Sequence, residues 1–260
     1  MIHDRAAFAG VRYSVLGASL AAWVILAVRL PRGEGQALEA LCSTTAMPWL
    51  RLDSVLSFAL GWLIMLSAMM LALTLPTLAY VWRASLARRR SRALVLCLCA
   101  YFAVWLLAGL AIEALPMLLG RAGPPSWIAW VVGVCIWQCS PLKQHCLNRC
   151  HRHRPLSAFG LRADVDVAML GLTHGAWCVG SCWALMAAAA LWPHAHMAVM
   201  VLAALLMYCE RLDPPARPAW KIRGLATAWG LLRREWQGYR GGVYALLPAA
   251  LSKHTARRGG

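Results

Sequence analysis

Six long apolar runs, separated by short polar and mostly basic stretches, dominate the pattern along the chain. They lie at 13–30, 54–80, 93–115, 127–142, 165–191 and 193–209. A helix needs roughly 20 mainly apolar residues to cross a hydrocarbon core of about 30 Å, so each run predicts a membrane span. The fourth and sixth are short. Trp127 and Trp130 flank the one, Tyr208 and Arg211 the other, as interfacial anchors that help a short helix fit. No small-x-small cleavage site follows the first run before Pro31, so it reads as a span and not as a removed signal. The predicted fold is all-α, a polytopic membrane helix bundle of six spans over residues 1–210.

Composition agrees with that pattern. Of 260 residues, 61% are hydrophobic and 14% charged, against roughly 45–50% and 25% in soluble domains. Such a chain is too apolar for disorder and lacks the periodic glycine of collagen. Its ten cysteines are sparse and sit mostly inside apolar runs, unlike a disulfide-stapled secreted fold. The net charge of +16 is read as topology. With the N-terminus inside, 22 of the 26 lysines and arginines fall on the cytoplasmic side; only Arg29, Arg32, Arg51 and Arg121 fall outside. The prediction is N-in and C-in, in a bacterial inner membrane. Nucleic acid is not an expected partner, because a nucleic-acid module would not bring several spanning segments. Residues 211–260 form a basic tail with Trp220, Trp229, Leu231, Leu232, Trp236 and Tyr239. It reads either as an interfacial helix on the anionic inner leaflet or as a loosely ordered basic tail.

The residues that can carry chemistry are cysteine, histidine and methionine. Cys135, Cys139, Cys146 and Cys150 would fall within about 60° of arc on one continuous helix, although Pro141 can bend it. At about 1.5 Å per residue the outer two pairs are too far apart to share one ion. Following them, His174, Cys178 and Cys182 recur at i, i+4 and i+8 and so share one stripe. Gly171, Gly175 and Gly180 leave room there for a neighbouring helix. An ionisable residue such as His174 deep in a span is a functional hypothesis by default. Met65, Met69 and Met70 fall at a similar depth on the second span. Cys42, Cys97 and Cys99, by contrast, read as small apolar packers.

Two of these stretches resemble a known family. Gln138-x-Ser140-Pro141-Leu142-Lys143-x-x-Cys146-Leu147-x-x-Cys150 is one, and Gly171-Leu172-x-His174-Gly175-x-x-Cys178-x-Gly180-x-Cys182-Trp183-Ala184-Leu185-Met186 is the other. Together they resemble the bacterial predicted metal-binding integral membrane proteins, a domain of unknown function. Weaker echoes are Met65-x-x-x-Met69-Met70, Tyr101-x-x-Val104-Trp105 and Glu210-Arg211. The likeness covers residues 61–211 and implies metal binding, with Cys146, Cys150, His174, Cys178 and Cys182 as ligands. Cys135 and Cys139, the late Pro76 and the basic tail depart from the family pattern.

Thiolate, thioether and imidazole are soft to borderline donors, which favour Cu(I) or Zn over Mg, Ca or Mn. Nearby methionines tilt the choice to Cu(I), with Zn held by Cys and His as the alternative. Cys146-x-x-x-Cys150 suits a helix, unlike the Cys-x-x-Cys of redox loops. The leading expectation is a membrane protein that handles Cu(I) for a metallochaperone or metalloenzyme partner. Its inner-surface donors would be Cys146, Cys150, His145, His151 and His153. Within the membrane, His174, Cys178 and Cys182 would serve, with Cys135, Cys139, Met65 and Met69 as weaker additions. No P-loop or nucleotide domain points to an ATP-driven pump, and no catalytic residues are assigned. The alternatives are a membrane oxidoreductase using intramembrane thiols or a bound cofactor, and a structural subunit of a membrane complex.

Overall fold

A computed structural model of the chain describes residues 2–29, 52–119, 126–191 and 196–225, together with Thr227, Trp229, Gly230 and Arg233. Cys42, Leu231, Leu232, Trp236 and Tyr239 lie outside the described residues. Between Ile2 and Leu212 the described residues form eight α-helices and two short 3-10 turns joined by loops, and no strand occurs among the described residues. In chain order they are α1 (Ile2–Arg29), α2 (Leu52–Met69), α3 (Leu75–Ala84), α4 (Arg90–Leu119), α5 (Ser126–Cys139), α6 (Pro141–Cys150), α7 (Gly160–Leu191) and α8 (His196–Leu212). The all-α expectation holds.

Two of the predicted spans are broken, each beside a proline. The run at 54–80 divides into α2, a 3-10 turn at Ala72–Thr74 and α3, with a bend of 57°. Pro76 lies in the first turn of α3, where its missing N–H costs nothing, but its ring excludes a straight helix through Ala72. The run at 127–142 ends with α5 at Cys139. Ser140 takes an extended backbone, as a residue before proline is pushed to do, and its hydroxyl caps α6 by accepting from the Lys143 N–H at 3.2 Å. A single helix carrying all four of Cys135, Cys139, Cys146 and Cys150 on one face is therefore excluded.

Phe8–Val28 and Ala87–Ile112 are long and apolar enough to cross a membrane, and the bent pair Leu56–Met69 with Ala72–Ala84 makes a third if it is one span. That is as far as length and composition carry the expected six. At 14 residues, α5 is only about 21 Å long, and α7 opens on Arg162, Asp164 and Asp166.

Helices α4 and α7 pack along their lengths, α1 lies on α2, and α6 and α8 lie against α7. The closeness of α4 and α7 is written in glycine. A β-carbon on Gly171 would collide with the Cys97 carbonyl and stand 2.9 Å from Ala100 Cβ; one on Gly175 would stand 3.1 Å from Val104 Cβ. In a bilayer, where helices gain little from leaving lipid, such backbone approach is a main source of association. Asp164 ties the starts of α4 and α7 together through Arg89 at 2.6 Å and Arg92 at 2.7 Å. Beyond α8 the chain returns to the α5–α6 junction. There the Lys221 N–H donates to the Cys139 carbonyl, and Arg223 donates to the carbonyls of Gln138 and Ser140 and to the Gln144 side chain. This strap satisfies the carbonyls left open where α5 stops.

Candidate metal centre

The stripe on α7 faces inward. Cys178 and Cys182 are 0% and 2% exposed, and His174 is also buried. The i, i+4 spacing sets the two thiols one turn apart on the same face of α7. From α4, the Tyr101 hydroxyl lies 3.2 Å from Cys178 Sγ. Ser181 donates back to the Cys178 carbonyl at 2.9 Å, and its hydroxyl lies 3.3 Å from Cys182 Sγ. Cys146, one turn before Cys150, is half-buried, and its sulfur lies 2.8 Å from where a β-carbon on Gly180 would be. Gly180 is therefore the gap through which α6 brings its first thiol to α7. Burial pushes the Cys150 thiol up to about 12 and raises that of Cys146 as well.

A polar frame holds this sulfur cluster. Thr77 of α3 places its hydroxyl 3.3 Å from His174 Nε2 and 3.3 Å from His153 Nε2, bridging the two imidazoles. Burial lowers the His153 pKa, and the nearby Arg211 and His151 lower it further. Arg211, at the end of α8, sets its Nη2 3.4 Å from His174 Nε2 and 3.9 Å from Cys178 Sγ. Beside it Lys143 and Glu210 form an ion pair of 2.7 Å with neither side chain exposed, and Gln138 donates to the same carboxylate oxygen at 2.6 Å. On the remaining side lie methionines. Met65 and Met69 of α2, and Met70 just past its end, share one buried cluster with Cys150, Cys178 and Cys182, together with Met186, Met200 and Met207.

A buried cluster of thiols and thioethers suits a soft, monovalent ion, and comparison with known proteins points the same way. Residues 59–232 match the family model PpoB2, described as a copper chaperone. The chain belongs to the PpoB2 copper chaperone family. No curated protein and no solved structure matches it. The region shared with the copper chaperones contains every cysteine, histidine and methionine of the cluster, as well as Arg211 and the Arg223 strap.

The structure brings some of the sequence-nominated residues together and leaves others apart. Cys150, Cys178, Cys182, Met65 and Met69 enter one cluster, with Cys146 and His174 at its edge. Cys135 is exposed, and Cys139 is half-buried beside the returning strap. The Ser140–Pro141 break ends their helix before α6 begins. His145 is exposed and packs edge-on to Trp177 with ring centroids 5.7 Å apart. His151 lies between two backbone carbonyls, those of Leu147 at 2.8 Å and Arg211 at 3.2 Å. Cys97 is buried in a second cluster as a packer, whereas Cys99 is exposed. Among the described residues, no three His, Cys, Asp or Glu side chains stand close enough together to hold one ion. The donors come as thiol pairs with thioethers behind them. Sequence reasoning missed Thr77, Ser181 and the Lys143–Glu210 pair; the Glu210-Arg211 and Tyr101 echoes of the family were the available signals.

Proposed function

We propose that this member of the copper chaperone family is an integral membrane protein that takes up Cu(I) at its cytoplasmic face and holds it on intramembrane sulfur for delivery to a metalloenzyme. The observation that carries the reading is the meeting of two helix-spaced cysteine pairs, from α6 and α7, in one buried cluster with the methionines of α2. Cys146, the more accessible thiol, receives the ion with Cys150. Exchange of one thiolate at a time then moves it to Cys178 and Cys182, with Met65 or Met69 as a thioether ligand and His174 at the edge. Cu(I) suits such a relay because it is stable with two or three soft ligands, whereas Zn prefers four donors in a tetrahedron.

The membrane reading is supported by apolar outer faces. Leu20, Leu60, Leu107 and Leu202 are each more than 60% exposed on four different helices. In this reading α1, the bent α2–α3 pair, α4, α5 with the start of α6, α7 and α8 are the six spans, N-in and C-in. The lipid partner is a bilayer with an anionic inner leaflet, facing the basic tail. Reporter fusions after residues 30, 122 and 192 would map the orientation; outside positions for all three are expected, and an inside position for any would refute it. Copper content decides the function. Purified full-length protein loaded with Cu(I) should retain close to one ion per chain by elemental mass spectrometry, and His174→Ala with Cys178→Ser should retain far less. Metal-free wild-type protein after loading, with its thiols intact, would reject the reading.

A further inference from the structure

The charges around the thiols do not cancel. Lys143 and Glu210 neutralise each other across 2.7 Å. Arg211 has no such partner: among the described residues no carboxylate forms an ion pair with it, and its buried Nε has no hydrogen-bond partner. Its Nη2 is directed instead at His174 Nε2 and Cys178 Sγ. A guanidinium stays charged in proteins, and a charge removed from water without a counter-ion is costly. With neutral thiols, the protein groups of the site therefore carry one uncompensated positive charge.

Resting on the Cu(I) reading above, we propose that Arg211 is the counter-charge of an anionic bis-thiolate copper complex and makes the site selective for monovalent soft ions. The balance is direct. One Cu⁺ and two thiols give a complex of two thiolates and copper, charge −1, and two protons that leave to water. Two S–H bonds break, two Cu–S bonds form, and no electron changes hands. Arg211 brings the sum to zero. Its guanidinium and the Tyr101 hydroxyl converge on Cys178, one of the two sulfurs that would bear the negative charge. A divalent ion between the same two thiolates makes a neutral complex and leaves Arg211 uncompensated. The third anionic ligand that would restore the balance is not grouped with the others among the described residues.

The test compares two thiophilic ions that differ in charge. Hg(II), like Cu(I), binds two thiolates in line, but its bis-thiolate is neutral. Full-length protein in detergent is titrated with each ion in competition with a chelator of known affinity. Arg211→Gln is expected to weaken Cu(I) about tenfold to a hundredfold, the scale of one close charge pair in a protein interior. The same variant should hold Hg(II) within about threefold of wild type. Arg211→Lys, which keeps a point charge, should hold both ions within about threefold. Equal weakening of both ions in Arg211→Gln would overturn the proposal, as would an Arg211→Lys variant that loses as much Cu(I) affinity as Arg211→Gln. Unchanged Cu(I) affinity in Arg211→Gln would overturn the counter-charge while leaving the chaperone reading intact. A wild type that binds no Cu(I) would overturn both.

Discussion

Cys135 and Cys139 on α5 share their spacing with Cys178 and Cys182 on α7, and both pairs lie on apolar helices. Yet the first pair is exposed or half-exposed, and the second is sealed. The difference lies in what each helix allows its neighbours to do. On α7, Gly171, Gly175 and Gly180 admit α4 and α6 to near-contact, whereas a β-carbon on Gly133 of α5 would meet nothing within 4 Å. Cysteine spacing nominates a pair of ligands; small residues at the right phase bring it second-helix partners. Tyr101 of α4 and Cys146 of α6 approach α7 for that reason.

Variants can break or sharpen this contrast. The largest effect is expected from Cys178→Ser with Cys182→Ser. Removing groups that only support a metal's ligands already costs about 10–100-fold, so loss of both thiolates should lower Cu(I) affinity about a thousandfold or more in chelator competition. Next come Lys143→Met or Glu210→Gln. Each leaves one partner of a buried ion pair without the other and should remove about 3–5 kcal/mol of stability in thermal unfolding followed by circular dichroism. Replacing both with apolar residues should recover most of that loss. Gly180→Ala drives a methyl to 2.8 Å from Cys146 Sγ, and overpacking of this kind costs about 1–3 kcal/mol. It should also raise the alkylation rate of Cys146 as α6 is displaced. Cys135→Ser with Cys139→Ser is the smallest, within about 0.5 kcal/mol in stability and about twofold in Cu(I) affinity.

Much of the helical architecture can be read from the apolar runs, and the His174–Cys178–Cys182 stripe from helical periodicity. The α5–α6 break is visible in Pro141 only as a bend. The break is held by Arg223 and Lys221, which bond to residues 138–144 from some 80 positions later. Lys143 shows the same limit. By composition it is one more cytoplasmic cation, but its neutralising partner Glu210 stands 67 residues away, which is why the structure can bury it. Thr77 is an ordinary small polar residue in an apolar helix; only tertiary packing reveals that it bridges two histidines. The methionines lie between these cases. Their burial follows from an apolar span, but their sharing a core with Cys178 depends on how α2 packs on α4 and α8.

The most direct test of copper on the α7 pair is X-ray absorption spectroscopy of the Cu(I)-loaded full-length protein. The account predicts a Cu(I) edge with a low-coordinate, sulfur-dominated first shell. That shell should persist in Cys135→Ser with Cys139→Ser and vanish with the copper in Cys178→Ser with Cys182→Ser. A first shell of nitrogen and oxygen, or the same sulfur shell in the α7 variant, would contradict it.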